Sequence, residues 1–401
     1  MSNLSIAGYF PFMRVKITEQ TVHGQTANSA LIKLSPDLRY RPLCHGCGQP
    51  AATVHSQGYR RHIRDLNLAS AQVWLHVEYR KIWCDHCGGA RVEQLSFAHS
   101  CQRVTHRLAR HIYGLCKMMT VKEVAEHLGL DPKTVKQIDK EYLEEEFGDT
   151  DNDNLRVLMI DEIAVRRGHR YMTVVADYFS GRVVWMGSNR DKKTLDKFFA
   201  TMTREQKDAI EAVAMDMWEP FINRVKHHCP QAKIVFDFFH VAQSFGRVID
   251  KVRRDEYRKA TQEHRKVLKG SRYLLLKNEE NLTDIQRNRL KSVLDLNSTL
   301  STLYILKDQL KLVYYYSDRE KVKRILDDWC EMAGQIEHAS VQAFIRRLRF
   351  FEYGILNHAD YSIGTSRLEG INNKIKVIKR KAYGFHDEEY FALKVKQAFA
   401  A

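Results

Sequence analysis

The sequence lacks the long apolar segments of a membrane protein. No apolar run approaches the roughly 18 residues that span a bilayer. The first ten residues, MSNLSIAGYF, do not join a basic start to a long apolar stretch as a secretory signal does. Fixed-period repeats and low-complexity tracts are also absent. We therefore expect a cytoplasmic protein without a membrane partner, and a length of 401 residues indicates two or three domains.

Acidic residues are scarce relative to basic ones. The chain has 49 Asp and Glu against 64 Lys and Arg, which gives a net charge of +15. An excess of this size is typical of proteins that bind a polyanion, most simply nucleic acid. The alternative is a basic surface with no such partner.

Eight cysteines are present, and in a cytosolic chain they are better interpreted as thiols or metal ligands than as disulfides. Four of them form two Cys-x-x-Cys pairs, Cys44 with Cys47 and Cys84 with Cys87, each followed by glycine. Four thiolates suit tetrahedral Zn²⁺ in a closed structural site. The residues between the pairs can form the strands of a zinc ribbon. The alternative is two redox dithiols, although such motifs usually occur singly.

The segment TVKEVAEHLGLDPKTVKQIDKEYL predicts two amphipathic helices with a short turn. Thr120 and Glu123 form a capping box, Gly129 ends the first helix, and Asp131 caps the second with Pro132 at its first position. This is the spacing of a helix-turn-helix. An ordinary helical hairpin is the alternative. The residues at the start of the second helix that are placed to reach DNA bases or phosphates are Lys133, Thr134, Lys136 and Gln137.

Farther along, apolar runs alternate with amphipathic segments in the order β, β, β, α, β, α, β, which is the order of an RNase H-like domain. The first strand is expected to end at Asp161 and the fourth at Asp216. Asp237 and His240 are placed on the fifth strand. The functional interpretation is that His240 contacts DNA or orients a carboxylate, and the alternative is that the two residues are a buried structural pair.

A late segment, TSRLEGINNKIKVIKRK, joins a helix start to a cluster of positive charge. Ser366 and Glu369 have the spacing of a capping box. Five basic residues follow between Ile371 and Lys381, with no further acid. Glu369 is therefore either a helix cap or a carboxylate held beside a bound polyanion.

With these motifs in view, the sequence resembles the DDE transposases of bacterial insertion sequences, specifically the ISL-three family. The resemblance covers nearly the whole chain. It rests on the order of zinc ribbon, helix-turn-helix and RNase H-like domain, and on the segments MIDEIAVRRGHRYMTVVAD, AMDMW, PQAKIVFDFFHV and TSRLEGINNKIKVIKRKAYGF. AMDMW departs from the family pattern, in which Arg more often follows the Asp.

The resemblance implies a set of catalytic acids and a cofactor. Asp161, Asp216 and Glu369 match the three metal-binding acids of the family. Oxygen ligands suit Mg²⁺, and two such ions can serve phosphoryl transfer. Further residues follow Glu369 on the same helix and are placed to hold the DNA backbone beside the metals: Asn372, Asn373, Lys374 and Lys376.

These observations predict a multidomain α/β protein. Its expected parts are a zinc ribbon over 1–100, a helix-turn-helix over 101–148, an RNase H-like domain over 155–243 and 356–401, and a helical insertion over 245–355. The expected function is a transposase that binds the inverted-repeat ends of its element and joins them to target DNA, acting as a dimer or larger assembly. The alternatives are an RNase H-like nuclease without strand transfer, and a catalytically inert DNA-binding regulator.

Overall fold

The computed structural model describes residues 6–23, 28–99, 102–166, 170–361, 363 and 366–400. The chain divides into two compact units, Met1–Glu146 and Phe147–Ala401. Among the described residues, no helix is both long enough and apolar enough to cross a membrane.

The first unit is built on a sheet with the strand order β1-β2-β4-β3, in which β5 extends β4 on the side of β2. Its strands are β1 (Val15–His23), β2 (Ser29–Pro36), β3 (Thr53–Leu68), β4 (Ala71–Cys84) and β5 (Gly89–Val92). Alternate residues of the long β3–β4 hairpin enter one core, because side chains on a strand point to opposite faces in turn. Ile63, Val73, Leu75 and Val77 are all fully buried there.

Three helices complete this unit: α1 (His106–Cys116), α2 (Val121–Leu128) and α3 (Pro132–Phe147). They share a core that includes Leu108, Val124 and Val135. The helices join the sheet through the buried Asp65 of β3, which accepts hydrogen bonds from Thr105 Oγ1 at 2.7 Å and Arg107 Nε at 2.7 Å. The segments predicted as two N-terminal domains therefore form one compact unit.

The second unit holds a mixed sheet with the strand order β10-β9-β6-β7-β8. The strands are β6 (Val157–Arg166), β7 (Arg170–Asp177), β8 (Val183–Ser188), β9 (Ala212–Met215) and β10 (Lys233–Phe236). The first three are joined in antiparallel pairs, whereas β9 and β10 run parallel to β6. This order confirms the predicted RNase H-like fold class.

Helices cover both faces of this sheet. On one face lie α4 (Lys192–Ala200) and α6 (Glu219–His228), and on the other α15 (Ser366–Lys381) and α16 (Glu388–Phe399). The short α5 (Arg204–Asp208) follows α4 and has no buried residue. The predicted order of elements has a single helix between the third and fourth strands. In the structure this segment is broken at Thr203, which caps α5 together with Gln206. Ile371 and Ile375 anchor α15 in the core of the second face, with Met159 and Val174 of the sheet.

A long helical segment separates β10 from α15. It contains α7 (Phe238–Lys259), α8 (Gln262–Leu268), α9 (Arg272–Leu276), α10 (Asp284–Leu296), α11 (Ser298–Leu312), α12 (Arg319–Gly334), α13 (Ala339–Phe350) and α14 (Glu352–Asp360). Trp329, 1% exposed, packs edge-on against Phe245 at its centre. The last helix, α14, covers the edge strand β10, where Asn357 Nδ2 donates to Ile234 O at 2.9 Å.

Two sequence predictions about the strands are wrong. β6 continues past Asp161 to Arg166, because β7 pairs with it along that length. Asp237 and His240 do not lie on the fifth strand: β10 ends at Phe236, Asp237 caps α7, and His240 is in the first turn of that helix. The apolar face of α7 continues the apolar run of β10, so the sequence pattern alone does not mark the boundary.

Candidate metal centres and active site

The four cysteines of the two pairs converge at one end of the β3–β4 hairpin. The Sγ atoms of Cys44, Cys47, Cys84 and Cys87 all lie within 4.8 Å of one another. Cys44 Sγ is 3.9 Å from Cys87 Sγ, and Cys47 Sγ is 3.5 Å from Cys84 Sγ. Within the part of the chain that the structure describes, this is the one such cluster of Cys, His, Asp or Glu.

Each Cys-x-x-Cys pair sits on a tight turn that aims both thiols inward. Gly48 and Gly88 have positive φ, 71° and 64°, which glycine adopts without strain. Backbone N–H groups donate to the sulfurs, from Gly46 to Cys44 and from Cys87 to Cys84, each at 3.4 Å. Such bonds stabilise negative charge on the thiols.

The cluster has the dimensions of a tetrahedral zinc site. A Zn–S bond of about 2.3 Å gives neighbouring sulfurs a separation of about 3.8 Å in a tetrahedron. In the bare protein the thiols hinder one another's ionisation: a hydrogen bond shared with Cys47, together with burial, raises the pKa of Cys87 to about 12. A bound Zn²⁺ removes that conflict, so the donor set fits the structural zinc predicted from sequence.

We expect Cys84→Ser to release zinc and unfold the N-terminal unit. Structural zinc in small domains contributes on the order of 10 kcal/mol of folding free energy, which is comparable with the whole net stability of a typical domain, about 5–15 kcal/mol. Elemental analysis should give about one Zn²⁺ per wild-type chain. The control is Cys229→Ser, which alters a buried thiol outside the cluster and should keep its zinc. Well-folded wild-type protein without zinc would contradict this assignment.

The helix-turn-helix forms as its sequence predicts. Thr120 and Glu123 make a reciprocal capping box at the start of α2. Gly129 follows that helix, and Asp131 Oδ1 accepts from the backbone N–H of Lys133 at 2.7 Å to start α3. Val135 and Ile138 of α3 are buried against α2 and α1.

The four predicted DNA contacts lie along the first two turns of α3. Lys133 and Gln137 are exposed, and Thr134 and Lys136 are half-buried. Gln137 Nε2 donates to Glu141 Oε1 at 3.0 Å, one turn farther along. The surface at the start of α3 is therefore polar and basic, as a helix that enters the major groove requires.

The second unit places one aspartate on β6 beside two aspartates that follow the ends of β9 and β10. Met159 of β6 and Val235 of β10 both pair with Ala214 of β9. Asp161 lies two residues after Met159 on β6 and shares its face of the sheet. Asp216 and Asp237 come two residues after Ala214 and Val235, just past the ends of β9 and β10. The Asp161 side chain therefore projects toward the face that α15 covers.

His240 lies among the three carboxylates. Its Nε2 is 3.8 Å from Asp161 Oδ1 and 3.9 Å from Asp237 Oδ2, and its Nδ1 is 3.8 Å from Asp216 Oδ2. The first turn of α7 thus brings one imidazole to within 4 Å of Asp161 on β6 and of the two acids that follow β9 and β10. A cation at this place would interact with all three carboxylates.

Helix α15 closes the site from the other side. Asn372, 8% exposed, donates from Nδ2 to Asp161 Oδ2 at 2.6 Å. Glu369 lies one helical turn earlier, on the neighbouring surface of α15, and is exposed. The side chain of Ser366, its predicted capping partner, lies outside the described residues.

The structure brings Asp161 and Asp216 together around His240 but does not bring Glu369 onto the same point. Among the described residues, Asp161, Asp216 and Glu369 do not place three oxygens within 4.8 Å of one another. Glu369 is nevertheless only one turn from the Asn372 amide that contacts Asp161. The acids and this helix start therefore line a common region that is open to solvent on the Glu369 side.

The electrostatics of this region favour a bound cation. Burial raises the pKa of Asp161, and Asp216 adds to the rise, while His240 and Asn372 oppose it. Burial and the neighbouring Asp161 raise the pKa of Glu162 to about 7. Carboxylates whose ionisation is disfavoured are common at functional sites. A divalent cation would offset the repulsion and hold the acids in their ionised form.

The four residues of α15 that were predicted to hold DNA differ in their contacts and exposure. Asn372 turns inward to Asp161, as described. Lys374 bonds the carbonyl of Ala398 and lies 4.3 Å from the Phe399 ring centre. Asn373 and Lys376 are exposed.

Sequence reasoning missed a cation–aromatic cluster beside the acids. The Arg190 guanidinium lies 4.6 Å from the ring centre of Tyr171 and 5.4 Å from that of Trp218. Trp218 belongs to the same tight turn as Asp216, with its N–H donating to Asp216 O at 2.7 Å. The charge of Arg190 partly opposes the rise in the pKa of Glu162 that burial and Asp161 cause. Trp218, the last residue of AMDMW, is the one feature of the local sequence that points to this cluster.

The cysteine cluster, the helix-turn-helix and the RNase H-like sheet with its aspartates are the architecture of a DDE transposase. Comparison of sequences agrees. A transposase family profile of the DDE type matches residues 158–395. The helix-turn-helix domain of transposase family ISL3 matches 93–143, and the zinc-finger of transposase IS204/IS1001/IS1096/IS1165 matches 41–87.

Individual relatives carry the same description. The chain is 40% identical over 360 residues to the transposase for insertion sequence element IS1001 of Bordetella parapertussis, covering 89% of this chain and 88% of the relative. It is 28% identical over 375 residues to the transposase for insertion sequence element IS1557 from two strains of Mycobacterium tuberculosis, covering 86% and 83%. The chain belongs to the ISL3 family of insertion-sequence transposases.

Proposed function

We propose that this protein binds the inverted-repeat ends of its own insertion sequence, cleaves the DNA there and joins the freed ends to target DNA. The observation that carries the proposal is the grouping of Asp161, Asp216 and Asp237 around His240, with Glu369 one helical turn from the Asn372 that contacts Asp161. In this proposal, acids from separate parts of the chain act together on one phosphodiester.

Each part of the chain has a role in this proposal. The zinc ribbon (1–100) and the helix-turn-helix (101–148) hold the DNA end, and Lys133, Thr134, Lys136 and Gln137 contact it. The RNase H-like part (155–243 and 356–401) carries the chemistry, and the helical insertion (245–355) supports it. Two ends have to be joined, so we infer a dimer or a larger assembly on DNA.

Asp161, Asp216 and Glu369 are the residues that would hold catalytic Mg²⁺, which takes oxygen ligands and keeps several waters. Bound there, two such ions supply charge stabilisation for the attacking and leaving oxygens of phosphoryl transfer. Asn372 keeps the Asp161 carboxylate in place through its hydrogen bond. His240, beside Asp237, positions Asp161 and Asp216. Arg190 places a positive charge beside them.

Two chemical steps follow one another at this site. A water oxygen attacks the scissile phosphorus, the bond from phosphorus to the 3′ oxygen breaks, and a 3′-hydroxyl and a 5′-phosphate result. The 3′-hydroxyl then attacks a phosphodiester of the target, forming one phosphorus–oxygen bond as another breaks. The second step conserves bond number, so it needs no external energy source.

A labelled duplex that contains the element's end tests this proposal. In Mg²⁺, purified protein should yield a strand cut at the end and products joined to target DNA, and neither should form in a chelator. Nicks without joined product would favour a nuclease instead. Specific binding without cleavage in any divalent ion would favour a regulator.

We expect Lys136→Ala and Gln137→Ala to weaken binding to element ends and leave the protein folded. A lost base contact costs on the order of 1–3 kcal/mol. The measurement is affinity for end duplex and scrambled duplex at fixed salt. Lys122→Ala is the control, because it removes an exposed lysine of α2, outside the start of α3. Unchanged discrimination in both variants would make the helix pair structural.

A further inference from the structure

The solvent-facing side of α15 carries one continuous stripe. Its members on the helix are spaced four, three and four residues apart, the spacing of neighbours on a helix surface, and Tyr383 follows just past the helix end. All five are exposed: Glu369, Asn373, Lys376, Arg380 and Tyr383. The stripe begins at the proposed catalytic acid and continues just past the end of the helix at Lys381.

The opposite side of α15 is fixed against the sheet, so the stripe cannot turn inward. Ile371 and Ile375 are 5% and 1% exposed in the core of that face. Lys379, beside the stripe, donates from Nζ to Ala164 O of β6 at 3.3 Å. These contacts hold the helix in one rotation about its axis.

Tyr383 is unusual in two independent ways. Its side chain is 99% exposed, although a tyrosine ring carries a large apolar surface. Its backbone has φ 53°, the left-handed region that is uncommon for residues with a side chain. The N–H of Tyr383 donates to Arg380 O at 3.0 Å, and that of Gly384 to Lys379 O at 2.9 Å, which closes the helix end. Glycine would suit position 383 better for folding alone.

The charge around the stripe is of one sign after Glu369. No acid occurs between Gly370 and His386, whereas five bases do: Lys374, Lys376, Lys379, Arg380 and Lys381. A surface of this kind is complementary to a phosphate backbone.

We propose that this stripe is a track for the DNA duplex and that Tyr383 is a DNA contact at its far end, an assignment that rests on the proposed function. The helix rises about 18 Å from Glu369 to its end at Lys381, Tyr383 lies just beyond that end, and DNA rises about 3.4 Å per base pair. Tyr383 therefore contacts the duplex about six base pairs from the scissile phosphate at Glu369. Lys376 and Arg380 bind intervening phosphates. The Tyr383 ring packs on a deoxyribose, and its hydroxyl donates to a phosphate oxygen.

The test compares full-length wild type with Tyr383→Ala and Tyr383→Gly. The ligands are end duplexes shortened from about ten to about four base pairs on either side of the cleavage position. Wild-type affinity should drop when one side falls below about six base pairs, by on the order of tenfold. Both variants should bind the long duplex as weakly as wild type binds the short one. Their affinity should not drop further when the duplex is shortened.

Thermal melting separates this role from a structural one. Tyr383→Gly relieves the positive φ and should melt at or above the wild-type temperature even as DNA binding weakens. Tyr315→Ala is the matched control, since it removes a tyrosine that is 76% exposed in another part of the chain and should bind normally. Wild-type affinity and length dependence in both Tyr383 variants would overturn the proposal. Cleavage of the long duplex by wild type in the same samples tests the proposed function separately.

Discussion

Glu369→Gln is expected to abolish cleavage and joining while the protein melts normally and still binds element ends. Glutamine keeps the size and hydrogen-bonding oxygen of the side chain but lacks the charge that a hard cation requires. Glu369 is exposed on the first turns of α15, so the neutral side chain leaves no buried group without a partner. Removal of a metal ligand should therefore show in activity and hardly at all in stability.

The same substitution tests the alternative role of Glu369 as a helix cap. Glutamine serves in a capping box as well as glutamate does, so a pure cap predicts a nearly silent change. Glu205→Gln is the matched control, because Glu205 is also an exposed acid in the first turn of a helix. It should keep full activity. Wild-type cleavage by Glu369→Gln would leave Glu369 as a cap and nothing more.

Asp216→Asn should also abolish cleavage with the fold preserved. The Asp216 side chain is 38% exposed, and its Oδ1 accepts from the backbone N–H of Met217 at 2.6 Å. An asparagine oxygen can accept the same bond, so the turn should survive. The substitution therefore removes the negative charge of Asp216 and little else.

Asp237→Asn should behave differently, lowering activity or stability without removing metal binding. Asp237 is 6% exposed and caps α7 by accepting from Phe239 N–H at 2.6 Å, a bond that asparagine can also make. Its carboxylate acts on the site through His240, 3.9 Å away. The measurements are cleavage, melting temperature and divalent-ion binding for both variants. Loss of cleavage in Asp237→Asn with activity retained in Asp216→Asn would reverse the roles of the two acids.

Local chemistry made much of the N-terminal unit predictable. The cysteine pairs, the capping box of Thr120 with Glu123, and Asp131 before Pro132 all act within four residues. The structure contains them as the sequence indicates. Four sulfurs converge because a hairpin joins the two pairs, and hairpins are the shortest way to bring two such segments together.

The arrangement of the acidic site depends on contacts that sequence patterns do not reveal. The alignment of Asp161, Asp216 and Asp237 depends on the register among β6, β9 and β10. The bond from Asn372 to Asp161 joins residues 211 positions apart. The predicted strand position of His240 failed because the apolar residues of KIVF and FFHV are continuous, although the backbone changes from strand to helix at Asp237.

We propose above that this acidic site transfers DNA strands. The most direct experiment starts from an element end that is already cut to expose its 3′-hydroxyl. Wild-type protein, Mg²⁺ and supercoiled target DNA are added, and the products are sized. We expect ends covalently joined to target, no joining with a 3′-deoxy end, and no joining by Glu369→Gln. Hydrolysed target with no joined end, or joining that persists in Glu369→Gln, would contradict it.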